Sequence, residues 1–193
     1  MWRPIRKGTI PGAQPKKGGL RRISRLRVRA RPGNRREGWL IAGCVPVRIA
    51  LGRGGIKADK REGDGATPRG RFRLIRLWFR PERGSRPGGP LPKRPINQAD
   101  AWIEDPQSRN YNRAVKLAPG QAGDRLWRDD ALYDVLVELD HNTRPRVAGR
   151  GSAVFIHVAR PGFAPTAGCV AMPTATLRRL LVRLSRGAVI DIQ

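Results

Sequence analysis

A histidine and a cysteine near the C-terminal end of the chain have the residue types and the spacing of a base and a nucleophile. His157 lies in an apolar run over residues 153–158, and Cys169 follows twelve positions later, directly after a glycine, at the start of a second apolar run. The Pro- and Gly-rich stretch between them can return the chain, so the imidazole and the thiol can lie side by side at strand ends. A free thiol, with a pKa near 8.5, is a weak nucleophile until a base or a positive charge activates it. Such a pair could act in nucleophilic catalysis, with Cys169 as the nucleophile and His157 as its base, the thiolate being favoured by an imidazolium and by nearby arginines.

Gly168 could help to stabilise the negative charge that develops on a substrate oxygen during attack by the thiol. Because glycine has no Cβ, a substrate carbonyl can approach the backbone N–H groups of Gly168 and Cys169, which would form an oxyanion hole. Against this, most cysteines beside buried strands are small inert side chains, and most single histidines are hydrogen-bonded structural residues. Residue types and spacing alone leave a catalytic pair and a structural pair equally open.

Three further residues have types that bear on such a site. Arg160 follows His157 by three positions, and its guanidinium is suited to bind a carboxylate through two hydrogen bonds. His141 precedes the turn into the histidine strand and could reach the site, although a solvent-bonded loop residue is the simpler interpretation. Cys44 lies among apolar residues and is predicted to be a core side chain. A chain of 193 residues does not require a disulfide between its two cysteines.

The elements that would position these residues are predicted to be mainly β-strands. Alternating apolar and polar residues, punctuated by Gly and Pro, favour strands along most of the chain. One amphipathic helix is predicted to begin at Pro173-Thr174 and to end at Gly187, because leucines recur there at helical spacing. The Pro- and Gly-rich segment 80–95 is predicted to be a loop. The predicted strands are 23–30, 39–42, 44–51, 71–79, 133–139, 153–158, 169–172 and 188–192, with weaker candidates near Trp102 and Val115.

The composition favours one folded domain with an anionic partner. The chain has 40 Lys and Arg against 15 Asp and Glu, a formal charge of +25 at pH 7. Such a surface attracts nucleic acid, an anionic membrane face or an anionic cell-wall polymer. The aromatic content of 6%, with no interleaving of basic and aromatic residues, argues against a base-stacking nucleic-acid module. Residues 1–21 are rich in Pro, Gly and basic residues and are predicted to be a flexible basic arm, which leaves 22–193 as the folded domain.

Neither a membrane span nor an export signal is recognisable in the sequence. No run reaches the ~18 to 20 apolar residues that cross a bilayer. The basic N-terminus is not followed by the apolar segment of roughly 7 to 15 residues that a signal peptide requires. A soluble protein is therefore expected, with no visible export route.

Two sequence elements resemble the signature of the L,D-transpeptidases, the cysteine transpeptidases of peptidoglycan. Residues 166–170 read Thr-Ala-Gly-Cys-Val and follow His157, which is similar to that family's histidine and Ser/Thr-x-Gly-Cys-apolar element. Residues 63–72 read Gly-Asp-Gly-Ala-Thr-Pro-Arg-Gly-Arg-Phe and resemble its Thr-Pro-x-Gly-x-Phe element. The two elements occur in the family's order, and the resemblance extends over residues 25–193.

The sequence departs from that pattern at three positions beside the predicted catalytic residues. Ala167 stands where many members have a second histidine, and Ala171 where many have arginine or asparagine. Val158 follows the histidine where members often have glycine. The motif therefore does not identify the group that orients the imidazole of His157.

The resemblance implies a β-sandwich or barrel catalytic domain over residues 22–193, with one packing helix near the C-terminus and no metal or organic cofactor. It implies Cys169 as the nucleophile, His157 as the base and the N–H groups of Gly168 and Cys169 as oxyanion donors. The candidate substrate-binding residues are Thr166, which fills the family's Ser/Thr place, Arg160 and His141.

The partners that the resemblance implies are peptidoglycan stem peptides in the periplasm or cell envelope, with peripheral envelope contact and no nucleic acid. The expected reaction forms cross-links or exchanges D-amino acids. Two alternatives stay open at this point. One is a hydrolase in which water attacks the same thioester, and the other is a basic nucleic-acid or envelope-binding module with an inert cysteine.

Overall fold

The computed structural model describes residues 22–193, so the arm predicted over residues 1–21 lies outside the described residues. The described chain is mainly β, with one α-helix near the C-terminus, α1 (Thr174–Arg183), as the sequence predicts. In this part of the chain no helix is long and apolar enough to cross a membrane. The strands are β1 (Ile23–Arg31), β2 (Asn34–Ala42), β3 (Val45–Ala50), β4 (Ile56–Lys57), β5 (Thr67–Pro68), β6 (Gly70–Phe79), β7 (Lys93–Pro95), β8 (Asp100–Trp102), β9 (Ala114–Lys116), β10 (Asp124–Arg125), β11 (Val135–Leu139), β12 (Phe155–Val158), β13 (Val170–Met172) and β14 (Leu184–Ile192).

Nine of these strands form one sheet that closes into a barrel. Their order is β11-β12-β13-β3-β2-β1-β14-β6-β7, and β11 also pairs with β6, which joins the two sides of the sheet. Closure gives a barrel strand a hydrogen-bonding neighbour on each side, so its backbone N–H and C=O groups are paired without exposed edges.

The interior of the barrel is the main hydrophobic core. Because side chains alternate between the two sides of a strand, every second residue points inward, as Leu26 and Val28 do on β1 and Ile156 does on β12. The helix closes this core with the leucines whose spacing predicted it. These are Leu177, Leu180 and Leu181.

The outward sides of the barrel strands differ around the circumference. On β6, β11, β12 and β13 the outward residues lie beneath residues 96–134, which carry the small sheet β10-β8-β9. Trp102 of that sheet contacts Phe155 of β12 edge to face, with 5.0 Å between ring centroids. We call this side of the barrel the covered face. Its hydrophobic cluster consists of Trp78, Ile96, Trp102, Leu126, Leu136, Ala153, Phe155 and Cys169.

The C-terminal helix ends earlier than the leucine spacing predicts. Leu184, predicted to be helical, has extended dihedral angles of φ −62° and ψ 147°. It begins β14 and pairs with Ile23 of β1, so sheet pairing takes precedence over a further helical turn. The prediction that Gly187 ends the helix is wrong. Gly187 lies within β14 at φ +71°, where the register with β1 is irregular and a positive φ favours glycine.

The prediction that Cys44 is a core residue is also wrong. Cys44 is exposed in the tight turn between β2 and β3, next to Gly43 at φ +69°. The apolar residues around it pair across the hairpin, but the turn itself extends beyond the barrel. Both Cys44 and Cys169 are free thiols, so no disulfide joins them.

The segment 80–95 is more regular than a loop. It contains a 3-10 turn at Pro81–Arg83 and ends in β7, which pairs in parallel with β6 at the edge of the sheet, where proline is tolerated. Arg83 donates to the Asp134 carboxylate at 3.2 Å. Arg178 of α1 donates to the backbone carbonyl of Ser85 at 2.8 Å. These contacts hold the segment against the helix and the residues that precede β11.

Candidate functional site

His157 lies on β12 of the covered face, and Cys169 immediately precedes the neighbouring strand β13. β12 and β13 pair in parallel with His157 opposite Ala171, so Cys169, two residues before Ala171, lies beside Phe155, whose N–H donates to its sulfur. Residues two apart on a strand share a face, so both side chains point outward, beneath residues 96–134. Strand spacing and rise put their Cα atoms about 8 Å apart. The imidazole and the thiol therefore occupy the same side of the sheet, one diagonal step from each other.

A backbone carbonyl orients the imidazole of His157. Its Nδ1 lies 2.8 Å from the carbonyl oxygen of Val158. Because a carbonyl only accepts hydrogen bonds, Nδ1 carries the proton and Nε2 keeps its lone pair, which is the tautomer that can act as a base. The Tyr133 ring packs edge to face against the imidazole, with ring centroids 5.6 Å apart. The orienting group that the motif leaves open is thus supplied by Val158, a residue that itself departs from the family pattern.

The imidazole of His157 is neutral near pH 7. Burial lowers its pKa to about 4, and the charges of Arg160 and Arg128 act in the same direction, whereas the hydrogen bond to Val158 opposes them. A neutral imidazole can accept a proton but supplies no positive charge to a neighbouring sulfur.

The thiol of Cys169 is buried and protonated. Burial raises its pKa to about 12, and the negative charges of Asp124 and Glu104 add to this, while the Lys60 ammonium acts in the opposite direction. The expectation of a thiolate held by an imidazolium and by arginines is therefore not met. Desolvation and two carboxylates outweigh the nearby cations.

Two backbone groups hold the sulfur of Cys169. The S–H donates to the carbonyl oxygen of Ala153 at 3.2 Å, and the N–H of Phe155 donates to Sγ at 3.4 Å. Ala153 has φ +50°, which is uncommon for a residue with a Cβ and is often found at functional sites. The residues around the start of β12 therefore position the thiol, and β12 itself carries the imidazole.

Thr166 fixes the turn that carries the cysteine. Its Oγ1 accepts a hydrogen bond from the Gly168 N–H at 3.1 Å and donates one to the Cys169 carbonyl at 2.7 Å. Gly168 has φ +145°, and a Cβ there would lie 2.8 Å from the carbonyl oxygen of Ala66, so only glycine fits. The Gly168 N–H is engaged by Thr166, so its predicted oxyanion role requires that hydrogen bond to open.

The second sequence element, residues 63–72, lies directly against this turn. The Gly52 N–H donates to Oγ1 of Thr67 at 2.9 Å, and the Thr166 N–H donates to the carbonyl of Leu51 at 2.9 Å. Residues 51 and 52 thereby join the threonine of one element to the threonine of the other. This contact explains why two distant stretches of sequence act as one signature.

A cavity of about 350 Å³ lies beside His157 and the Gly168 turn, and charges of both signs line it. Arg160 and Thr166 are in its wall, whereas Cys169 lies beneath the wall and is 8% exposed. The charged residues that line the cavity are the basic Arg53, Lys60, Arg128 and Arg160 and the acidic Glu62, Glu104 and Asp124.

One carboxyl group of the cavity lining has a raised pKa. Partial desolvation raises the pKa of the Glu104 carboxyl to about 7, although the residue as a whole is exposed, and the charges of Asp124 and Glu62 add to this. Asp124 accepts a hydrogen bond from the Tyr133 hydroxyl at 2.9 Å. Sequence analysis missed Glu104, Asp124 and Tyr133, because no motif marks them and only the covering segment brings them over the barrel.

Lys60 is a buried cation that sequence analysis also missed. It is 5% exposed, and its Nζ donates to Asp64 Oδ1 at 2.8 Å and to the Arg61 carbonyl at 2.9 Å. Its Cε would lie 3.5 Å from a Cβ placed on Gly168, so its stem packs against the cysteine turn. Its position just before the Gly-Asp-Gly stretch was the only sequence signal for it.

His141 lies behind the cavity wall. Its Nε2 donates to the carbonyl of Arg150 at 3.0 Å, and its ring packs edge to face on Phe72 with centroids 5.4 Å apart. Burial lowers its pKa. In this position His141 supports the turn at Gly151 and does not line the cavity.

The fold and the site define a class of protein, a closed and mainly β domain in which a histidine on one strand and a cysteine just before the adjacent parallel strand lie beside one charged cavity. The family model for the YkuD domain, described as the L,D-transpeptidase catalytic domain, matches residues 25–192. The chain therefore belongs to the YkuD family of L,D-transpeptidase catalytic domains. This family is generally enzymatic and usually acts on the peptidoglycan of the cell wall. A search of curated proteins found no significant match to this chain.

Proposed function

We propose that the protein is a cysteine-dependent acyl transferase that acts on peptidoglycan stem peptides through a thioester on Cys169. The observation that carries the proposal is the register of β12 and β13, which sets Cys169 and His157 one diagonal step apart beside the cavity. Membership of the YkuD family supports the substrate class. The cell envelope is the proposed site of action, because the family usually acts on the wall.

In the proposed first half-reaction, the sulfur of Cys169 attacks the carbonyl carbon of a donor stem. As the C–S bond forms, the thiol proton passes to Nε2 of His157 and the carbonyl π electrons move onto oxygen. Collapse of this intermediate breaks the C–N bond, and the leaving amine takes the proton from the imidazolium. The products are a thioester on Cys169 and a free amine.

In the proposed second half-reaction, an acceptor amine attacks the thioester and gives a proton to His157. The C–S bond then breaks, an amide forms, and the sulfur recovers its proton. Attack by water in place of the amine releases a carboxylic acid, which is the hydrolase alternative in the same site. The ratio of amide to acid products measures the balance between the two.

The resting protonation states constrain the order of the first step. With burial raising the pKa of Cys169 to about 12 and lowering that of His157 to about 4, the neutral pair is strongly favoured before substrate binds. Proton transfer ahead of attack is therefore unfavourable. We infer that the proton moves together with C–S bond formation, when the new bond and the oxyanion contacts offset its cost.

The charges of the cavity suit a ligand that carries both carboxylates and amino groups. We propose that Arg160 binds a carboxylate of the stem peptide, since its guanidinium lies in the wall close to His157. Glu104 and Asp124 of the same lining offer acceptors for an ammonium group. Thr166 is proposed to act on substrate indirectly, through the turn that it fixes.

The test is to detect the thioester on the full chain. The protein is incubated with a soluble muropeptide stem, and its intact mass is followed before and after addition of an amine acceptor. We expect an acyl adduct on Cys169 that disappears as the amide product accumulates. Cys169→Ala should form no adduct and no product, whereas Cys44→Ser should keep both, because Cys44 is exposed outside the barrel. Full turnover by Cys169→Ala would refute the proposal.

A further inference from the structure

The side of the barrel opposite the covered face carries a row of exposed arginines. The outward positions of β1 hold Arg25, Arg27 and Arg29, and those at the start of β6 hold Arg71 and Arg73. On β3 the outward Arg48 pairs with Trp39 of β2, which in turn pairs with Arg29. We call the outward side of β3, β2, β1, β14 and residues 70–73 the bare face. At strand spacings of about 4.8 Å it is roughly 20 Å wide.

Half of these arginines have no acidic partner among the described residues. Asp191 of β14 accepts from Arg25 and, at 2.7 Å, from Arg71. Glu37 accepts from Arg48 at 2.8 Å. In residues 22–193, by contrast, no ion pair includes Arg27, Arg29 or Arg73, which are exposed. Their like charges repel one another, so a stable binding partner would be an anion that bridges several of them.

An aromatic side chain lies between two of the arginines. Trp39 is 39% exposed, and the strand register sets it directly between Arg29 and Arg48. An exposed indole is able to pack on the flat face of a sugar ring as well as on a base. This arrangement cannot be recognised in the sequence, because Arg29, Trp39 and Arg48 are adjacent only in the sheet.

The bare face continues to the rim of the cavity. The guanidinium of Arg48 lies over the Phe163 ring, 4.3 Å from its centroid. Phe163 belongs to the 3-10 turn Pro161–Phe163, which follows Arg160. Arg160, Ala164 and Pro165 line the cavity. An extended polymer bound along Trp39 and Arg48 would therefore reach the residues that border the catalytic pair.

We propose that the bare face docks a glycan strand of peptidoglycan, holding it through the carboxylates of its stem peptides while a neighbouring stem enters the cavity. The inference rests on the proposed function for its choice of partner. The continuity between Arg48 and the cavity rim favours the polymer that supplies the catalytic substrate. A nucleic-acid track would need several stacking aromatics, and in the described chain Trp39 is the one exposed aromatic of this face.

The test compares two full-length variants that lose the same three positive charges from different places. R27Q/R29Q/R73Q removes the unpaired arginines of the bare face. The matched control, R109Q/R113Q/R144Q, removes exposed arginines from the covering segment and from the loop after β11, none of which is in an ion pair with a described residue. Binding of each to purified sacculi is measured by co-sedimentation from low salt to above about 0.15 M, where the Debye length is roughly 8 Å.

We expect the bare-face variant to bind sacculi at least about tenfold more weakly than the wild type at low salt, and the control to lose less than about twofold. Both should keep the wild-type melting temperature and the wild-type turnover of a soluble muropeptide. R27K/R29K/R73K, which keeps the charges, should keep most of the binding.

Equal losses in the two Gln variants would overturn the proposal, because only net charge would then matter. So would a duplex DNA competitor that displaces the protein from sacculi at equimolar anionic charge. Site-specific sacculus binding without turnover of any muropeptide would refute the proposed function and leave the docking surface standing. Turnover of a muropeptide, without a loss of sacculus binding specific to the bare-face variant, would refute the docking surface and leave the proposed function standing.

Discussion

The covered face and the bare face are two sides of the same barrel, built from strands with the same alternation of inward and outward residues. On the covered face the outward side chains include Trp78, Phe155, His157 and Cys169, all less than 9% exposed beneath residues 96–134. On the bare face they are arginines exposed to solvent. The two faces differ because residues 96–134 pack over the outward side chains of the covered face.

Covering changes the chemistry of the groups beneath it. Removal from water lowers the pKa of His157 to about 4 and raises that of Cys169 to about 12, so both favour their neutral forms. Solvated arginines keep their charge, and an exposed ion pair such as Arg48 with Glu37 adds little to stability. Burial therefore keeps Cys169 and His157 neutral on one face, while exposure leaves the other face charged and able to attract anions at long range.

Truncation of one ring on each face should affect catalysis very differently. His157→Ala should reduce the rate of acylation by roughly 10² to 10⁴, the usual contribution of a positioned general base. Trp39→Ala, on the bare face, should leave turnover of a soluble muropeptide unchanged. Rapid-quench measurement of the thioester gives both rates. A large loss of turnover in Trp39→Ala, or none in His157→Ala, would mean that chemistry is not confined to the covered face.

The two thiols of the chain should differ in how fast they are alkylated across a range of pH. Below a pKa of about 12, the thiolate fraction of Cys169 rises about tenfold per pH unit, so its alkylation by iodoacetamide should rise steadily from pH 6 to 9 without a plateau. Exposed Cys44 should be alkylated faster throughout this range. Peptide mass spectrometry resolves the two sites. A plateau for Cys169 near neutral pH would instead indicate a thiolate–imidazolium pair in the resting protein.

A smaller effect is expected from the buried cation beside the thiol. Lys60→Met removes a charge that lowers the pKa of Cys169, so acylation at fixed pH should fall by up to about tenfold, the equivalent of one pKa unit. Lys57→Met, at an exposed position of β4, is the matched control and should leave the rate of acylation unchanged. Because Lys60→Met leaves the Asp64 carboxylate without its partner, Lys60→Met/Asp64→Asn separates lost stability from lost activity. Unchanged alkylation and acylation in the double variant would assign Lys60 a structural role alone.

Residue types and local patterns were enough to predict the class of fold and to single out Cys169 and His157 as a candidate pair. Period-two alternation identified β1 and β11, a continuous apolar run identified β12, and leucine spacing identified α1, because those local patterns follow from which sides of an element meet the core. The proposed roles of Cys169 and His157 came from residue type and from two short motifs. The contact of Thr166 and Thr67 with residues 51–52 gives those motifs a common physical basis.

The surroundings of that pair, by contrast, depend on how the chain folds. Pairing of Leu184 with Ile23 ended the helix early, and the turn at Cys44 carried an apolar stretch out into solvent, because strand register and chain reversal outweigh local propensity. The states of Cys169 and His157 depend on residues 96–134, which bring Asp124, Glu104 and Tyr133 over β12 and β13 from elsewhere in the sequence. A pKa is set by desolvation and by charges within a few ångströms, and neither can be found in a linear order of residues until the chain has folded.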